Sequence, residues 1–104
     1  MPRKIFHPSM EDVDLSTVLS ALGDPLRLEI VAKLMKGSDS CTGSCPGELA
    51  KSTLSNHFRI LREAGIVHSK KEGVSLVNCL RREELNKKFP GLLEFVLKAH
   101  ARGK

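Results

Sequence analysis

Fifteen residues near the middle of the chain, Lys51-Ser-Thr-Leu-Ser-Asn-His-Phe-Arg-Ile-Leu-Arg-Glu-Ala-Gly65, constrain the fold more than any other stretch. Wound at about 100° per residue, the segment separates into two faces. Leu54, Phe58 and Leu61 recur at i, i+4 and i+7 on one side, while Ser52, Ser55, Asn56, Arg59 and Arg62 fall roughly opposite. The apolar side must be buried. The polar side presents short hydrogen-bonding groups near the helix start and cations further along. That is what a helix lying in a duplex groove requires: small groups that approach base edges and cations that hold phosphates.

The charge distribution agrees. The formal net charge of +5 is uneven: residues 1–50 carry five Lys/Arg against seven Asp/Glu, and residues 51–104 carry twelve against five. The basic half contains the two-faced helix, so a polyanionic partner is the economical reading. At 104 residues the chain is expected to form an N-terminal arm, 1–10, and one domain, 11–104. A chain this short covers its apolar surface poorly, which favours pairing with a second copy. No apolar run reaches the ~20 residues of a membrane helix, so no membrane association is expected. The opening residues, Met1 to Pro8, have no apolar signal region, and the expected location is cytoplasmic.

Local signals order the remaining elements. Glu11 to Leu22 reads as a helix with acidic residues at its start and Gly23 at its end. Asp24-Pro25 restarts a helix, with Asp as N-cap, Pro at the first position, and Leu26, Ile30, Val31, Leu34 and Met35 as the buried stripe up to Gly37. Arg27 is expected to be structural, its stem on the core and its head in an ion pair. Ser38 to Gly47 is rich in Ser, Gly and Cys and holds at best one helical turn. Ser52 is a candidate cap for the helix that Gly65 ends. Ile66 to Lys70 and Val74 to Leu80 read as two strands, joined through Lys71, Glu72 and Gly73. Arg81 to Phe89 is a short helix broken by Pro90, and Gly91 to about Ala101 is the last. Its apolar residues, Leu92, Leu93, Phe95, Val96, Leu97 and Ala99, spread over most of its circumference, so it needs two burying surfaces: its own core and, most simply, its copy in a dimer.

The resulting order is that of a winged helix-turn-helix: mainly α with a small β-hairpin, and homodimeric. Two stretches resemble the ArsR/SmtB-type bacterial winged-helix repressors. Ala21-Leu-Gly-Asp-Pro-Leu-Arg-Leu-Glu-Ile30 is similar to that family's opening signature, and Ser52 to Val67 to its recognition helix and wing entry. The resemblance spans roughly residues 13–80. It implies a homodimer on a palindromic double-stranded DNA operator, with repression released by a small effector. Carried over by motif, Ser52, Thr53, Ser55, Asn56, His57 and Arg59 are the DNA-facing candidates, and Lys70, Lys71 and Ser75 the wing contacts. Arg62 joins them as a phosphate or guanine contact. The chain departs from the family at Cys41-Thr-Gly-Ser-Cys-Pro-Gly-Glu-Leu-Ala50, which stands where a regular amphipathic helix is usual.

Cys41 and Cys45 leave two readings open. Four residues apart on a helical turn, they lie within reach of a strained disulfide or could hold a thiophilic metal or metalloid effector. The bland alternative is small, partly buried thiols without a ligand. Cys79, on the second strand, reads as packing. No resident cofactor is expected, and the metal question stays open. His7 and His68 are isolated and read as surface or boundary residues, and His57 as either a backbone contact or a satisfied boundary histidine. Phosphate-binding glycine loops, HExxH and GxSxG are absent, so an enzyme is not expected. With no Tyr or Trp, the chain lacks the aromatic platforms of single-strand binders. The alternatives to a thiol-switched repressor are the same fold with an organic effector or none, and a winged helix that binds protein.

Overall fold

A computed structural model describes residues 6–36, 51–73 and 75–103. Among these, a 3-10 turn, Met10–Asp12, precedes α1, Leu15–Leu22, and α2, Pro25–Lys36. Then come α3, Lys51–Glu63, the strands β1, Val67–Glu72, and β2, Ser75–Leu80, and the helices α4, Arg82–Lys88, and α5, Leu92–Arg102. Val13, Val18, Ile30, Val31, Leu34, Leu61, Ile66, Val67, Leu85 and Leu93 belong to one continuous buried cluster, so every helix and the base of the hairpin contribute to the same core.

The helix expected over Glu11 to Leu22 is shorter and begins at Leu15. Asp14 explains the break. Its Oδ1 accepts the Thr17 backbone N–H at 2.9 Å and the Ser16 hydroxyl at 3.0 Å, so it serves as N-cap and cannot lie within the helix. Val13, ahead of it, is in the core at 4% exposure. Lys88 on α4 donates to the carbonyls of Met10, Glu11 and Val13 and so holds this irregular entry in place. The Asp24-Pro25 start is borne out: Asp24 Oδ2 accepts the N–H groups of Leu26 and Arg27 at 2.9 and 3.0 Å.

Arg27 is structural, but among the described residues it forms no ion pair. Its Nε donates to the Ala21 carbonyl at 2.6 Å, and its Nη1 lies 3.2 Å from His57 Nδ1. Of the carboxylates near it in sequence, Asp24 is committed to the cap and Glu29 pairs with His100. Likewise, Ser52 is not the cap of α3, because the helix already includes it.

The C-terminus of α3 closes as the sequence requires. Gly65 has φ +84°, its N–H donates to the Arg62 carbonyl at 3.0 Å, and the Ile66 N–H donates to the Leu61 carbonyl at 3.0 Å. This double bond pattern with buried Leu61 and Ile66 is the Schellman arrangement. A Cβ at Gly65 would also fall 2.3 Å from Val13 Cγ2. The close approach of the chain entry to the end of α3 therefore requires glycine on two counts. The hairpin pairs antiparallel from Val67↔Leu80 to Glu72↔Ser75, and Gly73, which follows β1, has φ +61°. β1 thus runs to Glu72, and Lys71 lies in the strand instead of the turn.

Candidate nucleic-acid interface

α3 sets the site. Phe58 and Leu61, 6% and 0% exposed, fix one face of it in the core, and Leu54 packs half-buried beside them. Thr53, Ser55, Asn56 and Arg59 are exposed, so the helix presents a hydroxyl, amide and guanidinium surface. Two of these side chains act as a unit: Arg59 Nη2 donates to Asn56 Oδ1 at 2.7 Å. Arg59 Nη1 also lies 3.9 Å from Glu63 Oε2, with both side chains more than half exposed. This pair is solvent-screened and leaves the guanidinium available to a stronger anion.

His57 and Arg62 occupy the flanks. His57 is half-buried and receives Arg27, so its imidazole bridges α2 and α3. Arg62 is half-buried as well. Its Nη1 points to the Ser69 hydroxyl on β1 at 3.4 Å. Burial lowers its guanidinium below the usual value, with Arg59 acting in the same direction and Glu63 against it, and an arginine remains charged throughout. Lys70 and Lys71 are exposed on β1, opposite Val77 and Leu76, and Ser75 closes the hairpin opposite Glu72. Seven of the candidates, Thr53, Ser55, Asn56, Arg59, Lys70, Lys71 and Arg62, therefore sit on α3 and the adjoining strand, with Arg62 the least open of these. Ser52 shares α3.

The hairpin's base holds an arrangement that sequence reasoning missed. His7 and His68 stack, with ring centroids 4.2 Å apart and planes 14° from parallel. Sixty residues of chain separate them, and no local pattern reports such a contact. His100, another lone histidine, pairs with Glu29 at 3.3 Å and joins α5 to α2. Cys79 is half-buried on β2. Cys41 and Cys45, with the interrupted segment around them, lie outside the described residues. Among the described residues, no group of three or more His, Cys, Asp or Glu could hold a metal ion, and no helix is long and apolar enough to cross a membrane.

Comparison with known proteins fits this geometry. Residues 24–69 match the family model of the bacterial regulatory proteins of the arsR family. An HTH-type transcriptional regulator of Methanocaldococcus jannaschii is 41% identical over 58 residues, covering 54% of this chain and 65% of the relative; the chain thus spans just under two thirds of that relative's length. A second HTH-type transcriptional regulator, from Bacillus subtilis, is 31% identical over 87 residues, covering 81% of this chain and 87% of the relative. In structure, the chain is similar to an ArsR-like transcriptional regulator from Rhodococcus sp. RHA1, with a TM-score of 0.59 and 26% identity over 84% of this chain and 83% of the other. The winged helix, its exposed polar recognition face and these likenesses together make the chain a member of the ArsR family of HTH-type transcriptional regulators, a DNA-binding regulatory protein and not an enzyme.

Proposed function

We propose that the protein is a homodimeric repressor that binds a palindromic double-stranded operator and occludes a promoter. The observation that carries this reading is the exposed face of α3: Thr53, Ser55, Asn56 and Arg59 stand opposite buried Phe58 and Leu61, with Asn56 and Arg59 already hydrogen-bonded. In the major groove, this face discriminates bases at about 1–3 kcal/mol per good bidentate contact. Ser52 and His57 border it. Lys70, Lys71 and Ser75 on the wing meet the backbone or minor groove and add sequence-independent affinity.

Dimerisation is supported by a second surface. Leu15 and Leu19 on α1 are 45% exposed, and Phe95 on α5 is 73% exposed. Leu15 and Phe95 border one apolar depression with Phe89 and Leu92. A self-complementary interface there spaces two α3 helices for half-sites about one helical turn apart.

The switch is assigned to Cys41 and Cys45: their oxidation, or a thiophilic metalloid bound by both, displaces the segment ahead of α3. A second reading, an organic effector, draws on a groove of about 310 Å³ between α2 and α5, lined by Ala32, Met35, Leu97 and Ala101 with Lys36 and Lys98 beside them. The test is titration of the purified protein against its own upstream DNA, first reduced, then with diamide or arsenite. Specific binding that is lost on treatment and retained in a Cys41→Ser/Cys45→Ser variant supports both the operator and the thiol switch. A double variant that remains inducible in cells moves the switch to the groove. Binding of any duplex with equal affinity overturns the operator reading, and a salt-independent protein partner without duplex binding replaces it.

A further inference from the structure

Ser69 receives contacts from three directions. It is the antiparallel partner of Asn78, and both residues are 2% exposed. Its hydroxyl donates to Asn78 Oδ1 across the hairpin and accepts from Arg62 Nη1 on α3. Its backbone N–H, on the open edge of β1, donates at 2.9 Å to His7 Nε2 from the N-terminal arm. The next residue of the arm is held too: the Pro8 carbonyl accepts Arg81 Nη1 at 2.8 Å.

The geometry assigns Ser69 as the hub of a clamp that sets the angle between wing and recognition helix, with Arg62 as a positioning residue and His7 as a proton-sensitive latch. The clamp rests on the duplex-binding reading above for its consequence, but not for its existence. Its physical basis is specificity of polar burial. A one-residue slip of β1 would turn Ser69 to the other face and separate it from both Asn78 and Arg62. The 3.4 Å approach of Arg62 is long for a hydrogen bond, so it orients more than it binds. It also turns this guanidinium toward the wing, whereas Arg59 stays exposed.

The latch depends on a neutral imidazole. His7 accepts through Nε2, so its ring proton sits on Nδ1; an imidazolium donates from both nitrogens and accepts at neither. Protonation would thus set an N–H against the Ser69 N–H. The groups that face His7 are His68 in the stack, Arg81 at the start of α4 and Arg62 on α3. The carboxylate beyond them, Glu84, is engaged by Arg81 through both oxygens. Burial first, and then His68, Arg81 and Arg62, hold His7 below the ordinary imidazole value. The sign follows. The unfolded chain binds the proton more readily, so the latch is closed above the ordinary histidine range and is lost as pH falls through the lowered folded value.

The test uses the full chain and two independent readouts. The first is free of DNA: 15N NMR of the Ser69 amide and the His7 ring from pH 7.5 to 4.5. The Ser69 amide should move in step with His7 in the wild type and stay still in His7→Phe, which keeps a ring in the stack but no acceptor. A Ser69 amide indifferent to His7 overturns the clamp.

The second readout is operator affinity by fluorescence anisotropy, with His68→Gln as the control for the stacked ring. On acidification the wild type should lose about fivefold more affinity than His7→Phe, at the lower end of ordinary coupling between sites. Parallel curves overturn the latch. Arg62→Gln, with Arg62→Lys as the gentler variant, should weaken binding while the slope of log K against log salt stays unchanged. A slope reduced by about one unit marks a lost phosphate contact and overturns the positioning role. Absence of any duplex binding at pH 7.5 defeats the operator reading, and the clamp is then decided by the Ser69 amide alone.

Discussion

Arg27 reaches from α2 to α3 and places Nη1 3.2 Å from His57 Nδ1 while its Nε holds the Ala21 carbonyl at the end of α1. One guanidinium thus ties three helices together beneath the candidate DNA-reading face. Arg27→Ala leaves two half-buried acceptors without their donor and should destabilise the fold by about 1–3 kcal/mol in urea denaturation. Arg27→Lys should recover only part of this, because one ammonium does not reproduce the planar fork. His57→Ala should follow the same pattern, lowering stability while leaving the salt dependence of duplex binding unchanged. A loss of salt slope would make His57 a phosphate contact instead.

Arg59 should behave in the opposite way. It is exposed, and its pairing with Glu63 is screened, so Arg59→Ala should change stability by no more than about 0.5 kcal/mol. Specific operator affinity should fall about tenfold or more, within the range of one lost bidentate base contact. Lys104→Ala should cost little. Equal losses for the two variants in one titration would remove Arg59 from base recognition.

Gly65 offers a double-mutant cycle. Gly65→Ala introduces both a positive φ for an L side chain and a contact of 2.3 Å with Val13 Cγ2. The expected destabilisation is at least about 2 kcal/mol, the sum of backbone strain and overpacking. In the background of Val13→Ala, the same substitution should cost less, because the clash is relieved and only the strained φ remains. Additive effects in thermal or urea unfolding would show that the two chain segments do not press on each other.

Acid should weaken the fold through two carboxylates. The Thr17 backbone N–H first, then the Thr17 and Ser16 side chains, hold the Asp14 carboxyl below its ordinary range, and the Arg81 side chain does the same for Glu84. Both native pKa values are depressed, so at acidic pH the unfolded chain binds more protons. The stabilisation is present in full above the ordinary carboxylate range and is lost as pH falls through the folded values. Between about pH 5 and 2, Asp14→Asn and Glu84→Gln should each flatten the fall of the urea midpoint. Curves parallel to the wild type would show that these groups do not contribute.

Phe95→Glu tests the proposed dimer. At 73% exposure the ring contributes little to its own core, so monomer stability should change by no more than about 0.5 kcal/mol. Sedimentation equilibrium should show dissociation, and operator affinity should fall with it. A variant that remains dimeric would place the interface elsewhere.

Periodicity and end signals alone set the order of the described elements and most of the candidate binding face. Leu54, Phe58 and Leu61 mark the buried side of α3, Asp24-Pro25 the start of α2, and Gly65 the end of α3, because each acts over three to seven residues of local chain. Asp14 shows the limit of such patterns: apolar spacing runs through it, but its carboxylate satisfies more donors outside a helix than within one. Side-chain partners across the fold were decided by tertiary structure. His57 became a bridge to Arg27, 30 positions away, His7 met His68 from the other end of the domain, and Arg62 turned from α3 to Ser69 on β1, since contacts between different elements depend on how helices and strands pack. Sequence determined which surfaces had to be buried; packing decided which of the remaining polar groups face solvent and which hold the molecule together.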